Sequence, residues 1–226
     1  MMTERLQPAA LVQNKLLAAL PADELARWQP NLEQVELKVG QVLSESGNAP
    51  AYLYFPTTAI VSLLYVTRDG ASSEVAVVGR DGAVGIALVM GGNATPSQAV
   101  VHSAGQALRV RAQLLKDEVL KAGPLMFMLL RYAHELMAQV AQTAACNRYH
   151  SIDQLMCRRL LMGLDRSRGA ELKMTHELLA NLLGVRREGV SAAAHKLRRE
   201  GVIDYSRGNI VVMDRQRLQR RTAECR

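Results

Sequence analysis

Apolar and polar positions alternate in short runs over roughly the first 110 residues. In "EQVELKV" the residues Val35, Leu37 and Val39 share one side and are expected to point inward, and "AIVSLLYV" and "SEVAVV" are further short runs of strand-forming residues. Gly40, Gly47, Gly70, Gly79, Gly82 and Gly85 punctuate them, as turns between strands require. Short strands at this spacing predict a barrel or a sandwich. Ahead of them, Asn14 and Pro21 bracket a small helix whose Leu16, Leu17 and Leu20 are expected to lie against the sheet.

After about residue 112 the apolar period lengthens to that of a helix. Gly123-Pro124 ends one helix and opens a longer one, because proline suits a first helical turn and not an interior. The longer helix carries two apolar stripes. Leu125, Leu129, Tyr132, Leu136 and Val140, with Thr143 beyond, approximate one; Met126, Leu130, Ala133, Met137, Ala141 and Ala144 form the other. A helix apolar on two sides needs two partners. One is expected to be the β-domain of the same chain and the other a second copy, with Leu125, Leu129, Tyr132, Leu136 and Val140 at the seam between copies. A helix buried inside a monomer is the competing arrangement.

A new unit begins near residue 150, where Ser151 and Gln154 form a capping box ahead of Leu155, Leu160, Leu161 and Leu164. Beyond it runs "MTHELLANLLGVRREGVSAAAHKLRREGVIDYSRGNIVV", Met174 to Val212. Thr175 caps a helix with Leu178, Leu179, Leu182 and Leu183 inward, and Gly184 supplies the tight turn. On the next helix Val190, Ala194 and Leu197 face the core, which turns Arg187, Glu188, Ser191, Ala192 and His195 outward. This is the layout of a helix-turn-helix, whose second helix enters a major groove about 12 Å wide. Arginine matches guanine O6 and N7, and glutamate accepts from cytosine N4, so Arg187 and Glu188 are expected to meet base edges. "VIDYSRGNIVV" reads as a two-stranded wing with Ser206-Arg207-Gly208-Asn209 at its turn and Arg207 aimed at phosphate.

Charge sharpens this division. Residues 1–150 hold 12 Lys and Arg against 12 Asp and Glu, and residues 151–226 hold 16 against 9, so the net +7 of the chain resides in its last third. A basic module joined to a neutral one points to a polyanionic partner for the small module. Cys146, Cys157 and Cys225 are odd in number and lack C-x-x-C spacing, which predicts reduced structural thiols rather than a disulfide framework or a zinc site. The start, with its acidic residues, lacks a basic-then-apolar export layout, and no apolar run approaches the ~20 residues that span a bilayer. The protein is expected in the cytoplasm, away from membranes.

From residue 14 to residue 218 the chain resembles the CRP/FNR superfamily of bacterial transcription regulators, most specifically in "LLANLLGVRREGVSAAAHKLRREGVIDYSRGNIVVMDRQRL" and "CNRYHSIDQLMCRRLLM". The resemblance implies an α+β chain: a cyclic-nucleotide-binding-type β-roll, jelly-roll-like, over residues 1–122; a long dimerisation helix over 123–148; and a winged helix-turn-helix over 149–226. It implies double-stranded DNA and a second copy of the chain as partners, with RNA polymerase a further one. In the family the recognition helix opens S-R-E-x-V, matched here by Arg187, Glu188 and Val190. Arg186 replaces the capping Ser or Thr and becomes a phosphate contact, as do Arg207 and Lys196; Ser191 is assigned to base or phosphate. Ala192 stands where a second base-reading arginine often sits, so the operator is expected to differ from the family's best-known one.

Nucleotide-binding members carry G-E-x-[GA]-L and then R-[ST]-A. Here the matching stretches are Gly85-Ile86-Ala87-Leu88 and Ser97-Gln98-Ala99. Ile86 replaces the glutamate for the ribose and Gln98 or its neighbour replaces the arginine for the phosphate. The pocket around Gly85, Ile86, Ser97 and Gln98 is therefore expected to take an unidentified small effector that is not cyclic AMP, or none, leaving a constitutive DNA-binding dimer with a vestigial sensor. Neither cofactor nor metal is expected. A cupin-like metalloenzyme needs clustered histidines, whereas the β-region has His102 alone, and His134-Glu135 is followed by Ala138 where H-E-x-x-H needs its second histidine. Without a G-x-S-x-G elbow or a P-loop, no catalytic role is expected.

Overall fold

The computed structural model describes residues 8–222 except residues 93 and 168. The described residues divide into two compact units: residues 8–63 with Val77–Ala138, and Leu64–Ala76 with residues 139–222.

Three short helices, α1 (Pro8–Leu11), α2 (Lys15–Ala18) and α3 (Ala22–Trp28), lead into strands β1 (Glu33–Leu37), β2 (Val42–Ser44), β3 (Tyr52–Pro56), β4 (Ile60–Val66), β5 (Ser72–Val78), β6 (Gln98–Ser103) and β7 (Gly105–Arg111). They form two sheets, ordered β1-β7-β3 and β2-β6-β4-β5. Leu37, Tyr54, Ala59, Val61, Val78, Val101 and Ala107, drawn from both sheets, share one core, which makes the unit a sandwich of the jelly-roll kind. Asn14 ties the leading helices down. Its Oδ1 accepts from the Leu16 and Leu17 amides while its Nδ2 donates to the carbonyls of Pro56 and Gly82. Val39 does not join the inward set and is 66% exposed, because β1 stops at Leu37 and the chain turns through Lys38–Gln41.

After β7 come α4 (Ala112–Val119) and α5 (Pro124–Tyr149). On α5, Leu125, Leu129, Tyr132 and Leu136 are buried within this chain. The seam expected between copies is thus already filled, a correction to the stripe assignment. The apolar face left open comprises Phe127, Leu130 and Met137, with Val140 beside it and Ala141 and Ala144 continuing it. Positions 127, 130, 134, 137, 141 and 144 alternate steps of three and four, the spacing of a coiled-coil seam.

The second unit contains α6 (Ile152–Arg166), β8 (Glu171–Lys173), α7 (His176–Leu183), α8 (Arg187–Arg199), β9 (Ile203–Ser206), β10 (Asn209–Val212) and α9 (Arg215–Arg221). The Ser151/Gln154 capping box opens α6. Met156, Leu160, Leu179, Val190, Ala194, Leu197, Ile210 and Leu218 lie in one core, and β8-β10-β9 form an antiparallel sheet beside it. Within the unit, Arg159 and Glu74 are both buried and paired, Nε to Oε1 at 2.6 Å and Nη2 to Oε2 at 3.1 Å.

Cys146 and Cys157 are buried, and desolvation pushes the Cys157 thiol up to about 12, which keeps it protonated and unreactive. Cys225 lies outside the described residues. No described helix is long and apolar enough to cross a membrane.

Candidate nucleic-acid interface

The helix pair α7–α8 owes its geometry to its caps and its turn. Thr175 Oγ1 accepts from the Leu178 amide at 3.1 Å, starting α7. Gly184 ends it in the left-handed region, φ +64°, and Val185 donates to the Ala180 carbonyl, a closure that needs a residue without Cβ. Arg186 is extended and gives α8 no side-chain cap, the consequence of its standing where serine or threonine would cap.

Val190, Ala193, Ala194 and Leu197 bury one face of α8. Arg186, Arg187, Glu188, Ala192, His195 and Lys196 are exposed, and Ser191 is half-buried. Arg187, Ser191 and His195 follow at steps of four, a single stripe along the helix. Glu188 in the first turn and Arg198 and Arg199 in the last complement the helix dipole.

The wing turn is set by backbone handedness. Ser206 pairs with Asn209, and between them Arg207 has φ +47° and Gly208 φ +81°. Two positive φ values make this a type I′ hairpin turn, in which asparagine or glycine would be less strained than arginine. Arg207 is exposed at that tip.

Charge pairing separates the basic residues of this unit. Arg198 pairs with Asp204 at 2.8 Å, and Arg215, Arg221 and Lys196 pair with Asp165, Glu200 and Asp153. Arg186, Arg187 and Arg207 enter no ion pair among the described residues. Lys196, grouped in the sequence with the phosphate contacts, is held instead by Asp153, whose carboxyl its ammonium keeps below the usual range. A cleft of about 320 Å³ opens between the start of α7, Arg187 and the wing, with His176, Tyr205 and Asn209 in its lining. The sequence reading did not single out His176 or Tyr205; nothing in their spacing marks them, since they come together through the wing sheet.

In the first unit, Gly85 is left-handed, φ +103°, ahead of a 3-10 turn at Ile86–Leu88. Ser97 is buried, and Gln98 Nε2 donates to the Glu45 carboxylate at 2.7 Å. His102 is buried in β6 with Nδ1 3.4 Å from Ser62 Oγ, an ordinary core arrangement. Among the described residues no group of three His, Cys, Asp or Glu could hold a metal ion.

The family model for the cyclic nucleotide-binding domain matches residues 34–121, and that for the Crp-like helix-turn-helix domain matches residues 156–221. No curated protein matches the chain. Solved structures do. FixK2 from Bradyrhizobium japonicum is 16% identical with a TM-score of 0.72, over 84% of this chain and 96% of that one. A CRP/FNR-family transcriptional regulator from Thermus thermophilus is 22% identical with a TM-score of 0.66, over 84% and 98%. The global regulator CLP of Xanthomonas campestris, responsive to c-di-GMP, is 15% identical with a TM-score of 0.67, over 86% and 100%. At these identities the likeness speaks for the fold, and the two matched domains speak for the family: the chain belongs to the CRP/FNR family of transcriptional regulators, with a cyclic-nucleotide-binding-type domain ahead of a Crp-like helix-turn-helix.

Proposed function

We propose that the protein binds an inverted-repeat DNA operator as a homodimer, with the α8 helices of the two copies in successive major grooves about 34 Å apart. The observation that carries this reading is the exposed start of α8, where Arg187 and Glu188 stand unburied beside Arg186, which enters no ion pair among the described residues. Arg187 and Glu188 read base edges; Ser191 adds a base or phosphate contact; Arg186 and Arg207 hold phosphates. Arg207 supports its own assignment, since a β-hairpin keeps a strained arginine at φ +47° where asparagine would fit better. Lys196 serves phosphate only after leaving Asp153.

The second copy packs on the open face of α5, along Phe127, Leu130, Met137, Ala141 and Ala144, with Val140 at the margin. An effector, if one acts, is not cyclic AMP. Ile86 offers a ribose no acceptor, and the Glu45 carboxylate on Gln98 opposes a cyclic phosphate. No catalytic step belongs to this reading.

Selection of random duplex DNA on the full-length protein, without added ligand, followed by affinity across a salt series, tests it. The expected result is an inverted repeat strongly preferred over random DNA, with a steep salt slope. Weak, sequence-blind binding would reject it for the ligand-free protein.

A further inference from the structure

The stripe Arg187–Ser191–His195 is backed by a polar cluster that the reading above leaves unused. His176, the first residue of α7, places Nδ1 3.2 Å from Ser191 Oγ. Tyr205 in β9 places its hydroxyl 3.0 Å from His195 Nδ1 and 3.4 Å from Nε2. The Tyr205 ring meets His176 and His195 edge-on, at centroid separations of 4.8 and 5.8 Å. Arg198, itself bonded to Asp204, lies with its guanidinium carbon 5.0 Å from the same ring centroid. Tyr205 is therefore fixed from several directions, and it in turn touches the outward stripe of α8.

We propose that His176 and Tyr205 are positioning residues for base reading: by bonding Ser191 and His195 they hold these two side chains in the orientation that meets the DNA, and His195 thereby joins the reading set. This rests on the operator-binding account above. A serine or histidine free to turn can satisfy several bases, because its donors and acceptors move to suit. One held by a second hydrogen bond offers a fixed pattern and loses less rotamer freedom on binding. Burial, then the neighbouring His195 and Arg187, hold the His176 ring below its ordinary pKa, so it is neutral at pH 7 and can accept from the Ser191 hydroxyl. The arrangement acts on discrimination rather than on total affinity, since Arg186 and Arg207 stand outside it.

The test is a double-mutant cycle on the full chain, measuring affinity for the selected duplex and for a scrambled one. Tyr205→Phe removes only the hydroxyl. It is expected to lower the ratio of the two affinities by about fivefold, the worth of one net hydrogen bond, with scrambled-DNA affinity and thermal midpoint unchanged. In a His195→Ala background it should add nothing. His176→Phe paired with Ser191→Ala should behave likewise. A ratio unchanged by Tyr205→Phe, an equal loss on both duplexes, or full additivity with His195→Ala would overturn the positioning role. A wild-type protein that does not tell the two duplexes apart would remove the operator-binding account itself, and this inference with it.

Discussion

The ring of Tyr132 fills the space a side chain at position 82 would need: a Cβ on Gly82 would lie 2.5 Å from the Tyr132 hydroxyl oxygen and 2.8 Å from two ring carbons. Helix α5 thus presses on the β-sandwich at a glycine, and Gly82 also offers its carbonyl to Asn14. Gly82→Ala should destabilise by about 1–3 kcal/mol through overpacking. Its thermal midpoint should fall by several degrees, given about 2–4 °C per kcal/mol for a chain of this size. An unchanged midpoint would mean the contact is slack.

The same contact decides which side of α5 is free. Leu130→Glu or Met137→Glu should give monomers by sedimentation equilibrium with folded-state spectra retained, because those side chains are exposed in the single chain. Tyr132→Ala should instead cost about 3–5 kcal/mol of stability and lower the unfolding midpoint accordingly. A Tyr132→Ala protein that stayed as stable but became monomeric would return the seam to the buried stripe.

Much of this was legible in the sequence, and the failures have physical reasons. The capping box at Ser151, the Thr175 cap, the Gly184 turn and the inward faces of α7 and α8 follow from local chemistry and helical period, and all appear. Two stripes on α5 were visible, but not their edges: Ala133 of the second is buried and Phe127, in neither, lies on the open face; which side the β-domain takes depends on where Gly82 leaves room, a long-range fact no period encodes. Val39 misled because alternation cannot mark where a strand stops. The three-residue β8 is too short to carry a pattern and exists through pairing with β10. His176 and Tyr205 meet only once the wing sheet has formed.

The buried pair Arg159–Glu74 joins residues 85 apart in sequence. Removing Arg159 takes this buried ion pair away from the Glu74 carboxylate, so Arg159→Met should cost about 3–5 kcal/mol in denaturant unfolding. The double replacement Arg159→Met with Glu74→Leu should recover most of that loss. Additive losses in the double variant would show that the pair is not coupled.

Glu118 is buried and bonded to Arg27 and Lys121, which hold its carboxyl down to about 2. A depressed carboxyl stabilises the fold above its unfolded value near 4.5, and that contribution disappears as pH falls through about 2. Arg27 is about half exposed, so the contribution at pH 7 is modest, about 1 kcal/mol. Glu118→Gln should therefore lower the unfolding midpoint at pH 7 and match the wild type near pH 2. A deficit that persisted at pH 2 would point to packing instead of charge.

The most direct test of the whole account compares Arg187→Ala with Arg207→Ala on the selected operator and on scrambled duplex. Arg187→Ala should lose about 1–3 kcal/mol on the operator alone, and Arg207→Ala should weaken both duplexes about equally and flatten the salt slope. Equal loss on both duplexes for Arg187→Ala would contradict base reading by α8.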